Sequence, residues 1–243
     1  MKARSLAWIG FLRLVAAIRR GEVREVWVGD SNAVHFASAT WPRHSLDSSE
    51  PGRWVWALGP RLMYSVARDG YPPAMHRRLR LLRRLRNNRD VLWFFSAGEI
   101  DLRCHLVPRL KAGADLGYVR IYVERVQNLV AEFDAKHAAV SVPIPPAADM
   151  AHTEGFPIVG TLQERLDAHR LMRRRMLEET GPATGATGPV IYAFDATEKI
   201  SDADGYYRPE VTYDGMHPND YGRAEIAEVV EEFRRSIESG DGT

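Results

Sequence analysis

Cysteine is nearly absent. Cys104 is the only one in 243 residues, so no intrachain disulfide can form. The chain suits a reducing compartment, and Cys104 reads as a small buried hydrophobe rather than a nucleophile. No cysteine pair and no His-x-x-x-His spacing exists, so no metal site is expected. No phosphate-cradling glycine loop exists either. Gly181 to Gly188 has the glycines but lacks the following lysine, and it precedes a strand-like run, so it reads as a flexible connector. A charge excess is missing too: 33 basic residues face 32 acidic ones, a net charge of +1. Such a chain projects no global field toward nucleic acid or anionic lipid, and neither partner is expected. No cofactor is expected.

Long hydrophobic runs are also lacking. Leu6 to Ile18 is apolar, but Arg13 interrupts it, Arg19 and Arg20 end it, and no small-residue cleavage site follows. It is too short and broken to span a bilayer. The expectation is an amphipathic helix within residues 1–22 that lies on the domain, with no stable membrane insertion and a cytoplasmic location. No linker, charge block or repeat divides residues 1–243, which are expected to form one domain.

What is present is 45% hydrophobic residues, enough for one sizeable core. Five short apolar runs predict buried strands: Glu25–Val28, Trp54–Leu58, Val91–Phe95, Ala138–Val142 and Val190–Phe194. Continuous rather than alternating runs suit a parallel sheet covered on both faces. Helical patterns intervene at Arg61–Arg68, Ala74–Asn87, Leu116–Lys136, Leu162–Glu179 and Tyr221–Ile237. The arginines from Arg77 to Arg89 alternate with Leu79, Leu82 and Leu85, as on a helix with a solvated basic face. The alternation of strand and helix predicts an α/β fold, a three-layer α/β/α sandwich on a five-stranded parallel sheet. In such sheets ligands bind at the carboxyl ends of the strands. Ser38–Gly52 and Pro143–Gly160 read as long irregular loops, each a candidate pocket wall.

Two motifs carry chemistry. Val28-Gly29-Asp30-Ser31 ends the first strand in a tight turn, which exposes a serine hydroxyl at the sheet edge near a helix start. Asp and Ser are also ordinary helix caps. Tyr213-Asp214-Gly215-Met216-His217-Pro218 precedes the last helix. A serine needs a base and a third group to orient that base, and Asp-x-x-His supplies both. Pro218 suits a first helical position, which would put His217 at or near the helix cap.

From about Val26 to Ala227 the chain resembles the SGNH (GDSL-type) hydrolase superfamily. The resemblance implies a flavodoxin-like sheet, Ser31 as nucleophile, and Asp214 and His217 as its partners. It also implies an oxyanion hole from the backbone N–H groups of Ser31 and Gly59, with Asp30 in support. The third block departs from the family. Gly98-Glu99-Ile100-Asp101-Leu102-Arg103 carries Ile100 where the family has an asparagine donor. Arg103 is the candidate substitute, held by Glu99 and Asp101; the alternatives are a structural ion pair for Arg103 and helix capping for the two carboxylates. His35, His44, His105 and His152 are candidates by residue type alone.

The resemblance implies an esterase acting on a small-molecule or glycan ester through an acyl-enzyme, with an O-acyltransferase or an inactive glycan-binding module as alternatives. Trp41, Trp54, Trp56, Tyr64 and Trp93 would suit a sugar face, although tryptophans on strands are more often core.

Overall fold

A computed structural model describes residues 2–38, 40–151, 155–181 and 189–239, with side chains from residue 8 onward. Helix α1 (Lys2–Arg19) leads to β1 (Glu25–Gly29), α2 (Ser31–Ala37), β2 (Leu46–Glu50) and β3 (Arg53–Ala57). Then come α3 (Met63–Asp69), α4 (Pro73–Leu82), β4 (Leu92–Ser96), α5 (Val107–Lys111) and α6 (Gly117–Phe133). The chain closes with β5 (His137–Ser141), α7 (Leu162–Glu179), β6 (Ile191–Phe194), α8 (Thr197–Ile200) and α9 (Asp220–Ser239).

The strands form one sheet in the order β2-β3-β1-β4-β5-β6. Every pairing is parallel except β2 with β3. The five expected strands are therefore joined by a sixth, antiparallel one inside a stretch expected to be irregular. The sequence Leu-Asp-Ser-Ser-Glu has little β propensity. The turn at Pro51-Gly52, with Gly52 at φ 80°, folds it back on β3 as a hairpin. Gly10 lets α1 pack closely on this edge, since a Cβ there would meet the Leu46 carbonyl oxygen at 2.3 Å.

Alternating strand residues feed two cores. On β1, Val26 and Val28 pack with residues of α1, α3, α4, α6 and α7. Trp27 faces the other way, stacked on Phe94 at 4.0 Å and joined by residues of α2 and α9. Losing such a buried aromatic costs about 3–5 kcal/mol. The basic helix stops at Leu82 rather than running on to Asn87; Leu79 and Leu82 are buried and Leu81 is exposed. Among the described residues, no helix is long and apolar enough to cross a membrane.

Candidate active site

Strand register sets the height of the site. Gly29 pairs with Ala57 on one side and Ser96 on the other. Ser31, Gly59 and Gly98, each two residues further on, leave the carboxyl edge of the sheet at one level. Gly29 packs tightly there: a Cβ would lie 2.1 Å from the Ser96 carbonyl oxygen. Asp30 then ends the strand and starts α2. Its Oδ1 accepts the Asn32 N–H at 3.0 Å and the Ser96 hydroxyl at 3.2 Å. Burial, and then the charge of Glu99, push the Asp30 carboxyl up to about 7. Ser31 becomes the first residue of α2.

The loop before α9 is knitted around Thr212. Its hydroxyl donates to the His217 carbonyl at 2.7 Å and accepts the Gly215 N–H at 2.9 Å. Asp214 Oδ1 accepts the backbone N–H groups of Met216 and His217 at 2.8 and 2.7 Å. Its Oδ2 lies 2.7 Å from His217 Nδ1, and His217 Nε2 lies 2.9 Å from Ser31 Oγ. With Nδ1 donating to the carboxylate, Nε2 is left as the acceptor for the serine proton. Burial pushes the Asp214 carboxyl up, but the hydrogen bonds from His217 and Met216 outweigh it and hold the group below its ordinary value. The side chains of His217 and Asp214 are 17% exposed each, shielded but reachable.

The cap of α9 is Asn219, which leaves His217 near the cap, two residues before it. Asn219 Oδ1 accepts the Gly222 N–H at 2.9 Å, and its amide donates to the carbonyls of Glu210 and Thr212. The helix starts two residues beyond Pro218 because asparagine is the better cap.

Gly215 stands at φ 77°, and a Cβ there would meet the Asp149 carbonyl oxygen at 2.3 Å. The Ala151 N–H donates to the Asp214 carbonyl at 2.8 Å. The described part of the long loop after β5 is thus clamped onto the Asp214 loop. His169 anchors its start, with Nε2 donating to the Pro143 carbonyl at 2.9 Å.

His35, four residues after Ser31, meets the site. Its ring lies 4.4 Å from that of His217, and Nε2 is 3.3 Å from the Tyr213 hydroxyl. Burial, then the neighbouring His217, lower it to about 4, so it stays neutral near pH 7. Trp41 and Tyr213, both more than half exposed, flank this ring. Trp54, Trp56 and Trp93 are core residues and offer no sugar face. His105 is exposed and His44 is half-buried. His152 and the 182–188 connector lie outside the described residues.

After β4 the chain passes into a wide π-helical stretch, Asp101–Leu106, before α5. Glu99 holds Arg103 by two bonds, Nε to Oε1 at 2.7 Å and Nη2 to Oε2 at 3.1 Å. Arg103 Nη1 donates to the Phe156 carbonyl at 3.0 Å. Each of its three nitrogens therefore has an acceptor, and Arg103 serves as a strut between two loops rather than a free oxyanion donor. Asp101 does not touch Arg103. It caps α3 instead, accepting the N–H groups of Met63 and Tyr64 at 2.6 and 3.2 Å. Burial pushes its carboxyl up to about 6. Ile100 is buried and donates nothing. Gly59 stands at φ 72° with open space where a Cβ would be.

Two cavities flank the Asp214 loop. A groove of about 750 Å³ is lined by Asp149, Met150, Tyr206, Tyr213, Asp214 and Gly215. A small crevice shares Met150 and Gly215 with it and adds Glu99, Arg103 and Arg165. Arg165 was not foreseen, since it is one of many arginines on a polar helix. No group of three His, Cys, Asp or Glu among the described residues is arranged to hold a metal ion.

No family model matches the sequence, and no curated protein does. Solved structures do. A GDSL-like lipase from Bacteroides thetaiotaomicron superposes at TM-score 0.51 with 14% identity, over 90% of each chain. A carbohydrate acetylesterase, Est24 from Sinorhizobium meliloti, gives 0.47 at 15% identity over 89% of this chain and 99% of its own. An aryl esterase from M. smegmatis gives 0.45 at 13% identity over 89% and 99%. The α/β/α architecture is that of the SGNH hydrolases.

Proposed function

We propose that the chain is a serine-dependent acyl-ester hydrolase acting on an acylated sugar or a similar small-molecule ester. The observation that carries this reading is the continuous hydrogen-bonded chain from Ser31 Oγ through His217 to Asp214, at 2.9 and 2.7 Å.

His217 Nε2 takes the proton as Ser31 Oγ attacks the ester carbonyl, and Asp214 stabilises the imidazolium that forms. The tetrahedral oxyanion faces the backbone N–H groups of Ser31 and Gly59. His217 returns the proton to the leaving alcohol. A water, deprotonated by the same imidazole, then releases the acid and restores Ser31. With Ile100 at the third donor position, the oxyanion is held by two groups instead of three. One such donor contributes about 3 kcal/mol, so slow turnover is expected. The sugar preference rests on the exposed rings of Trp41 and Tyr213 beside the triad.

The groove beside Asp214 is open to solvent, which favours water over a second alcohol as acyl acceptor. The decisive comparison is p-nitrophenyl acetate turnover by wild type and Ser31→Ala, with fluorophosphonate labelling read by mass spectrometry. Turnover and labelling should both vanish in the variant. A wild type that is neither labelled nor active would leave a glycan-binding module as the better description.

A further inference from the structure

Two arginines are buried among the described residues, Arg103 and Arg165. A buried guanidinium is normally paired, because leaving its charge uncompensated away from water is costly. Arg103 obeys this rule through Glu99. Arg165 does not. It is 6% exposed, and among the described residues only Nη1 has an acceptor, the Gly160 carbonyl at 3.0 Å. Its Nε is sealed from solvent with no acceptor, and no carboxylate among the described residues reaches the group.

The unused side of Arg165 is its Nε–Nη2 edge. That is the planar fork that grips a carboxylate with two parallel bonds. Arg103 uses the same edge on Glu99 in the same crevice. Because Arg103 is already neutralised by Glu99, the described lining of the crevice carries one positive charge in excess, that of Arg165. As it stands the crevice has room for little more than one water-sized group, so seating both oxygens of a carboxylate requires its wall to move. Met150, an unbranched and half-buried side chain, forms the wall shared with the open groove and can turn aside. Gly215, in the same wall, directly follows the triad aspartate.

We infer that Arg165 binds a carboxylate carried by the substrate, and that the enzyme acts on acidic esters in preference to neutral ones. This rests on the hydrolase reading for its setting, not for its chemistry. The carboxylate could sit on the acyl side, as in a half-ester of a dicarboxylic acid, or on the alcohol side, as in an acylated uronic acid.

The test compares wild type, Arg165→Gln and Arg165→Lys on two ester pairs. One pair is p-nitrophenyl hemisuccinate against its methyl ester; the other is acetylated glucuronic acid against its methyl ester. Wild type should favour the acid in one pair by about 10- to 100-fold in kcat/KM, mainly through KM, as expected for a charge-assisted bidentate contact. The pair that responds identifies the side that carries the charge. In Arg165→Gln the ratio should collapse toward one, and Arg165→Lys should fall between.

Calorimetry of succinate and glucuronate against their methyl esters, on Ser31→Ala protein, separates this proposal from the hydrolase reading and does not depend on the folding of the Arg165 variants. Tighter binding of an acid by Ser31→Ala, together with no turnover of any of the esters by wild type, would keep the site and discard the hydrolase. Equal treatment of acid and methyl ester by wild type in both pairs, or an acid preference that survives Arg165→Gln, or no tighter binding of either acid in the calorimetry, overturns the proposal.

Discussion

Asp101 accepts the Met63 backbone N–H at 2.6 Å and so ties the start of α3 to the loop after β4. The segment between Ala57 and Met63 holds Gly59, the proposed oxyanion donor. Its position thus depends on a carboxylate that lies 38 residues beyond Met63 in sequence. Asp101→Ala should cost about 1–2 kcal/mol of stability as a lost helix cap. It should also lower kcat more than it raises KM, because the donor acts on the transition state. Thermal melts and steady-state kinetics on p-nitrophenyl acetate read the two effects separately.

Asp214 does two jobs with its two oxygens: Oδ1 folds the loop and Oδ2 orients His217. An asparagine can keep the first but presents a donor or a weaker acceptor to Nδ1. Asp214→Asn should therefore fold normally and lose about 10⁴-fold in kcat, the scale of a mis-set tautomer. A loss under tenfold would mean that Asp214 is not the orienting group.

Gly215→Ala should hurt both fold and rate. Its φ of 77° is strained for alanine, and the new methyl would press on the Asp149 carbonyl from 2.3 Å. Backbone strain alone is worth about 1–3 kcal/mol. A drop in melting temperature with loss of turnover is expected. An unchanged melting temperature would mean that the loop after β5 yields freely.

Asp30 gives the fold a pH dependence with a definite sign. Its carboxyl is raised from 3.8 to about 7 in the folded chain by burial and by Glu99. Between those values the unfolded chain has released a proton that the folded chain keeps, so the folded state loses stability as pH rises and levels off above about 7. Asp30→Asn removes this titration. The melting temperature of Asp30→Asn relative to wild type should climb between pH 4 and pH 7, whereas a flat difference would assign the slope to other groups.

The strands of the parallel sheet were legible because each is apolar on both faces, and their observed limits lie within about a residue of the apolar runs. Strand β2 was not, because an edge strand of Asp, Ser and Glu owes its form to the Gly52 turn and the β3 backbone rather than to its own side chains. That Ser31, Asp214 and His217 would meet was legible because each motif is local in sequence and the fold brings both to one edge of the sheet. The Glu99–Arg103 pair was legible from its i,i+4 spacing, but the partners of Asp101 and the Phe156 contact of Arg103 were not, since these reach beyond their own segment. Arg165 stands out only through the absence of a partner, a property of packing that no sequence pattern encodes.

The base and its orienter lie three residues apart, whereas the serine that they serve is 186 residues from the histidine. Contacts of large sequence separation must close the longest chain loops and are slow to form. The Asp214–His217 half of the site is a property of one short loop, but the Ser31–His217 bond exists only once the two ends of the chain meet beside the finished sheet. Regain of ester cleavage after dilution from denaturant therefore reports the final docking event. It should trail the return of helical circular dichroism rather than coincide with it.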